Sequence, residues 1–317
     1  MSTDPNSPWQ SGDRHAGRRH LAALRRDSTP VQHTTALNAG LAAEVAAQWA
    51  ALMHWDHHPL GQENVVLCAT QREAVALALG TLLQAGDTLF VAQPCAPQAL
   101  AVALTQGARY VDVGRLASGQ VDSLAVARAA QFHGPCVAWA EAPAWTAADD
   151  VAAMLASAAP LRAVIADCSA AAWPTQLPPA TAVIVGLRDP DAPAQALLWA
   201  VVAPAQSAAI LHALWGPTEL PLGPLTQALA VVRGWQAQPQ WVDRARHRLA
   251  ERAAELRRIA AVWPGVRVFP SGDLRVAVSC AAGDPEQVLA LWRPHGLAVA
   301  AYAAQPMRYL AVAEVGG

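Results

Sequence analysis

The densest run of side chains able to hold a metal ion is His54-Trp55-Asp56-His57-His58. Imidazole and carboxylate ligands together suit zinc or nickel, so His54, His57 and His58 are the candidate ligands. The same run also reads as a helix end, where histidines sit well near the dipole before the Pro59-Leu60-Gly61 turn. Adjacent histidines on a turn rarely converge on one ion, and no second ligand pair follows at metal spacing. The helix-end reading is therefore preferred, and no metal is expected. A lone carboxylate, Asp167, closes the apolar run Arg162–Ala166, which makes it a strand-end acid. The five cysteines, Cys68, Cys95, Cys136, Cys168 and Cys280, are odd in number and contain no CxxC pair, so reduced thiols are expected. What the chain lacks is an amine. All 22 of its basic residues are arginine. No side chain can form a Schiff base, make a Walker-type phosphate contact, or act as a lysine base.

Lysine can also be scarce for a bland reason, the alanine- and arginine-rich composition of a GC-rich genome. The chain has 317 residues, 54% of them hydrophobic and only 15% charged, against about 25% charged in an ordinary globular protein. A net charge of −2 argues against a nucleic-acid footprint. Arginines cluster over Arg244–Arg258, but glutamates interleave, as on a solvated helix face. The first residues are polar and carry no apolar core of a secretory signal. No stretch reaches the roughly 18 uninterrupted apolar residues of a membrane span. A soluble cytoplasmic protein that contacts neither membrane nor nucleic acid is expected.

The elements that must position these groups follow from hydrophobic patterning. Residues 1–35 read as a flexible leader punctuated by proline and glycine. Ala36 to Met53 reads as a helix. Short apolar strands follow at Val65–Cys68, Thr88–Val91, Ala108–Val113, Cys136–Trp139, Arg162–Ala166, Ala182–Val185 and Leu197–Val202. Helical stretches at Gln71–Gln84, Gln98–Gln106, Ser123–Gln131 and Ala147–Ser157 separate the earlier strands. This alternation predicts an α/β fold: a mostly parallel sheet with helices on both faces, spanning 36–235. From Leu225 to Val262 a long helical region runs on, with a possible break at Gln238-Pro239. The end of the chain reads strand, strand, helix, strand, strand: Val266–Phe269, Leu274–Ser279, Pro285–Arg293, Ala298–Ala301 and Arg308–Val312. That predicts a small C-terminal α+β domain over 236–317.

Several of these segments carry a resemblance. Glu63-Asn64-Val65-Val66-Leu67 with the helix from Glu73 to Leu79, Leu83-Gln84-Ala85-Gly86-Asp87-Thr88-Leu89-Phe90-Val91, and Val164-Ile165-Ala166-Asp167 resemble, in order, the class I/II aminotransferases. These are the fold type I group of pyridoxal-phosphate enzymes. Val201-Val202-Ala203-Pro204 and the terminal Met307-Arg308-Tyr309-Leu310 extend the likeness to roughly residues 38–315. It is closest to short members such as threonine-phosphate decarboxylase or histidinol-phosphate aminotransferase. The resemblance implies a cofactor phosphate at the helix start Thr70-Gln71, a pyridine partner at Asp167, and a substrate-carboxylate contact at Arg308. It also implies a catalytic lysine between Val185 and Leu198, where Arg188 is the only basic side chain.

Measured against that implied site, the chain departs at contact after contact. Thr70 stands where glycine is preferred, and its β-branch would be strained if the position required φ > 0. Ala96 replaces the ring that stacks on the pyridine, and Ala144 or Trp145 the asparagine amide. Ala170 replaces a tyrosine, and Leu197-Leu198-Trp199 an arginine. Arg188 cannot deprotonate near neutral pH to attack an aldehyde, and the nearest histidine in sequence, His212, lies far from this window. The twelve tryptophans outnumber the three tyrosines and three phenylalanines combined. Trp139, Trp145, Trp173 and Trp199 fall where the cofactor pocket is implied, so aromatic bulk is expected to fill it. The reading is a pseudoenzyme with no catalytic residue and no expected cofactor, Thr70, Gln71, Asp167 and Arg188 being vestigial cofactor contacts. It would act as a binding, regulatory or partner subunit, in a homodimer or in a heterodimer with a catalytic paralogue. The alternative is a divergent aminotransferase or decarboxylase using pyridoxal or pyridoxamine phosphate without a covalent link.

Overall fold

A computed structural model of the chain describes residues 34–55, 58–92, 95–114, 121–141, 161–178, 180–215, 220–262, 266–269, 274–281, 299–303 and 308–314. In chain order the elements begin with α1 (Thr34–Ala50), β1 (His54–Trp55), β2 (His58–Pro59), β3 (Val65–Cys68), α2 (Gln71–Leu82), β4 (Thr88–Val91) and α3 (Pro97–Thr105). Next come β5 (Arg109–Asp112), α4 (Ser123–His133), β6 (Cys136–Glu141), β7 (Leu161–Asp167), β8 (Gln176–Leu177), β9 (Ala182–Asp189) and β10 (Ala192–Val202). The chain then runs through α5 (Ala205–Trp215), α6 (Leu222–Ala237), α7 (Pro239–Ala261), β11 (Val266–Phe269), β12 (Arg275–Ala281), β13 (Val299–Ala303) and β14 (Arg308–Glu314).

Seven strands form one sheet in the order β3-β10-β9-β7-β6-β4-β5. Only β10 runs against the rest. Strands such as β3 and β4 are apolar at nearly every position and buried throughout, as strands covered on both faces must be. One face packs against α1, α4 and α6 through residues including Trp49, Val126 and Leu229. The other packs against α2, α3 and α5 through Val75, Ala99 and Leu211. A third cluster joins Ala172 and Trp173, beyond the end of β7, to Trp235 of α6, to α7 and to β12. The last strands make a separate four-stranded antiparallel sheet, β11-β12-β14-β13.

Local chemistry accounts for the turns that feed the sheet. Gly86 adopts φ +86, a conformation glycine takes without the Cβ penalty. The adjacent Asp87 accepts from the Gln84 amide at 2.7 Å and forms an ion pair with Arg162 of β7. The Gly86-Asp87 step that helped carry the resemblance thus has a structural task here. At the start of β3, Asn64 is buried; its side-chain amide donates to the Ala203 carbonyl at 2.9 Å and its oxygen accepts from Gly61 N. That clamp ties the start of β3 to the end of β10.

The expected strands and helices of the sheet coincide with these elements within a few residues. Three differences stand out. The first helix of the region Leu225–Val262 begins earlier than expected, at Leu222; the break falls where it was expected, with Gln238 (φ −140, ψ 72) interrupting and Pro239 opening the second helix, because proline has no amide to continue the first. Helix α5 was not expected; it starts directly after Pro204 at the end of the β10 run. A small sheet, β2-β1-β8, stands where a helix end was expected at His54. The expected helices Ala147–Ser157 and Pro285–Arg293, and residues 1–33 of the expected leader, lie outside the described residues, while Thr34 and Thr35, placed in that leader, open α1. No helix among the described residues is long and apolar enough to cross a membrane.

Candidate functional site

Strands β3, β9, β7, β6 and β4 all end on one edge of the sheet, where ligands of open α/β folds bind. Asp167 is the last residue of β7 and is fully buried. Its Oδ1 accepts from the Ser169 amide at 2.8 Å. Ala170, the position of the expected tyrosine, is buried, and its carbonyl accepts from Leu274 N at 3.1 Å.

Across the pair β7–β9, Asp167 stands opposite Ile184. Strand alternation puts Ile184, Gly186 and Arg188 on that same face. Arg188 is 4% exposed. Its guanidinium donates to the carbonyls of Pro193 at 2.9 Å, Ala194 at 3.0 Å and Ser169 at 3.1 Å. It also lies 5.4 Å from the centroid of the Trp199 ring, within cation–π range. Trp199 in turn pairs across the sheet with Gly186 and Cys68. A Cβ on Gly186 would stand 3.3 Å from Trp199 and 3.4 Å from Arg188 Nε. The missing side chain leaves the volume that indole and guanidinium share.

Thr70 caps α2 in extended conformation (φ −131), so the strain that a positive φ would bring does not arise. Its Oγ1 accepts from Glu73 N at 3.2 Å. The Glu73 carboxylate reaches back to accept from Ala69 N at 2.8 Å and Thr70 N at 3.2 Å. This reciprocal capping box places the chain's own anion on amides at the helix start. Gln71 is the first residue of α2. Ala96 is buried at the cap of α3.

Of the remaining expected residues, some lie apart from this group and others fall outside the described residues. His54 pairs with Pro59 and Trp55 with His58, so the register puts His54 and His58 on opposite faces of the ribbon. His57 lies outside the described residues, and no group of three metal-ligating side chains occurs among those described. Arg308 opens β14 opposite Ala281; its side chain lies outside the described residues, as do Ala144 and Trp145. Trp139 and Trp199 are buried in the cluster beneath α2 and α3, whereas Trp173 belongs to the cluster around α7.

Sequence reasoning missed the residues that join these pieces. Trp173 Nε1 donates to the Arg188 carbonyl at 3.0 Å. Arg246 of α7 donates to the Trp173 carbonyl and lies 5.6 Å from the Trp235 centroid. Arg246 was read as part of a solvated face, which holds for its neighbours: Arg252 pairs with Glu255 at 3.1 Å. Its signal was the run of aromatic partners elsewhere in the chain, and only folding brings those to it. Burial pushes the thiol of Cys68 up to about 12 and that of Cys136 to about 11, and raises Cys168 as well.

No family model and no curated protein matches the chain. Solved structures do match it. The histidinol-phosphate aminotransferase of Sinorhizobium meliloti, in complex with pyridoxal-5'-phosphate, superposes with a TM-score of 0.68 at 15% identity. That match covers 94% of this chain and 82% of the other. An alanine aminotransferase from Pyrococcus furiosus gives 0.68 at 14% identity over 95% and 83%. The N-succinyldiaminopimelate aminotransferase of Mycobacterium tuberculosis gives 0.65 at 18% identity over 96% and 85%. The chain therefore has the class I/II aminotransferase fold, that of the fold type I pyridoxal-phosphate enzymes.

That fold implies pyridoxal phosphate, and the residues present can be set against it. Asp167 offers a buried carboxylate at the strand edge. Against it, no lysine side chain exists in the sequence, Glu73 already occupies amides at the helix start, and Arg188 is held by three carbonyls. These residues do not fit a covalently held cofactor.

Proposed function

We propose that this chain is an aminotransferase-fold protein without pyridoxal-phosphate catalysis, working as a binding, regulatory or partner subunit. The observation that carries the reading is Arg188. In the segment where an amine nucleophile is implied, the one basic side chain is buried and bonded to backbone carbonyls. A guanidinium stays protonated at any physiological pH, so it neither attacks a carbonyl carbon nor abstracts a proton. Fold and activity are specified by different residues, so one persists without the other. The cytoplasm is the proposed location.

The experiment is to incubate the purified protein with pyridoxal phosphate, then reduce with borohydride. No visible-absorbing species and no protein adduct are expected. A saturable yellow species that reduction fixes to the chain would overturn the reading. A homodimer, or a heterodimer with a catalytic paralogue, belongs to the same proposal. Sedimentation of the pure chain separates the two, since only the first predicts a dimer without a partner.

One observation favours a second reading. Asp167 remains a buried carboxylate at the strand edge, as a divergent aminotransferase or decarboxylase holding pyridoxal or pyridoxamine phosphate noncovalently would need. Saturable quenching of tryptophan fluorescence by pyridoxamine phosphate, lost in D167N, would select it.

A further inference from the structure

The short loop Ser169–Trp173, just beyond β7, is bonded from several sides. Arg188 of β9 donates to the Ser169 carbonyl at 3.1 Å, the Leu274 amide to the Ala170 carbonyl at 3.1 Å, and Arg246 of α7 to the Trp173 carbonyl. Arg188 holds the loop at both ends, since its own carbonyl accepts from Trp173 Nε1 at 3.0 Å. Leu274 is the residue before β12, so its bond ties the loop directly to the C-terminal sheet. The apolar contacts agree. Leu249 and Leu256 of α7 share one buried cluster with Val276 and Val278 of β12, and Ala172 and Trp173 of the loop belong to it. Trp173 is 4% exposed. Arg246 completes the arrangement: it lies 5.6 Å from the Trp235 centroid and pairs with Asp243 at 3.1 Å. A bond from a charged donor is roughly twice as strong as a neutral one.

We propose that the loop Ser169–Trp173 is a lock that holds α7 and the C-terminal sheet to the large sheet as one body, with Arg246 as its bolt. Units joined by a small polar surface move against one another by default. Here such motion breaks the Leu274 and Arg246 bonds and bares an indole. Ser169 also donates to Asp167, so the strand edge and the C-terminal sheet are held through the same loop. The lock stands on these contacts and does not depend on whether pyridoxal phosphate binds.

Hydrogen exchange read by mass spectrometry on the full chain tests it. R246M keeps the aliphatic stem and loses the guanidinium. Peptides covering 168–173 and 274–281 should then exchange roughly ten- to a hundredfold faster than in the wild type, as loss of a bond to a charged group predicts. Peptides covering 65–68 and 182–187 should keep their rates. R258M, which removes an exposed arginine from the last turn of the same helix, should leave all four unmoved. Faster exchange in α7 alone, an equal change in every peptide, or no change in R246M would overturn the lock. Should R246M fail to fold, W173F takes its place, since it keeps a ring and drops the N–H that holds the loop to Arg188. Peptides 168–173 and 274–281 must again speed up together while the large sheet does not, and any other pattern sinks the idea.

Discussion

Trp173 Nε1 donates to the main-chain carbonyl of Arg188 at 3.0 Å, and this bond connects the sheet edge to the helical connector. On one side Arg188 reaches Ser169 and the Trp199 ring. On the other, Arg246 donates to the Trp173 carbonyl and lies over Trp235. Two arginines and three tryptophans thus alternate from the end of β9 to α6 and α7. The tryptophan excess has a concrete use in this run, where each ring supplies apolar area and two of them a face for a guanidinium.

Replacing Trp173 by phenylalanine keeps an aromatic ring and removes the N–H. The Arg188 carbonyl then loses a buried partner, a loss of about 1–3 kcal/mol. Urea denaturation should register it. W173A, which also opens a cavity, should cost about 3–5 kcal/mol.

A methyl group at Gly186 presses on Ala196 Cβ at 3.2 Å and on the Trp199 ring at 3.3 Å. G186A is expected to destabilise by about 1–3 kcal/mol, as overpacking of a dense core does. Tryptophan emission should shift with it, since the Trp199 ring must move. An unchanged emission maximum and midpoint would contradict the packing described.

The capping box at α2 predicts a paired effect. T70A should lower stability by about 1 kcal/mol through loss of the cap. E73Q should cost less, since a neutral amide oxygen still accepts from the Ala69 and Thr70 amides. Thermal melts followed by circular dichroism would rank the two, and E73Q falling below T70A would argue against the box.

Alkaline pH should weaken the fold through its buried thiols. An unfolded thiol ionises near its ordinary value of 9.0, while burial holds Cys68 at about 12 and Cys136 at about 11. A raised folded value means the stabilisation is complete below the unfolded value and fades as pH rises through the folded one. Urea midpoints should therefore fall from about pH 9 upward. The slope should be shallower in C68A. At pH 8, alkylation should reach half-buried Cys95 before Cys68, Cys136 or Cys168.

Much of the scaffold was legible before folding. The runs Val65–Cys68, Thr88–Val91 and Val266–Phe269 are strands with the expected bounds, because short apolar segments between turn residues have few other ways to bury themselves. The break at Gln238-Pro239 was legible too, since proline's missing amide is a local fact. Helix α5 and the β1-β2-β8 sheet were not. His54 and His58 looked like neighbours in sequence, and only their antiparallel register separates them by face.

The sequence by itself determined what chemistry is missing: a chain without lysine has no side-chain amine to offer, whatever its shape. Composition and periodicity also determined the alternating α/β plan, because apolar spacing is written locally. The tertiary structure alone decided where Arg188 and Asp167 lie, since twenty residues of chain separate them and folding brings both side chains onto the backbone of Ser169. It also decided that Thr70 is an unstrained cap whose partner anion is Glu73. Hydrogen bonds and counter-charges depend on distance in space, and distance in space is fixed only when strands pair and helices pack.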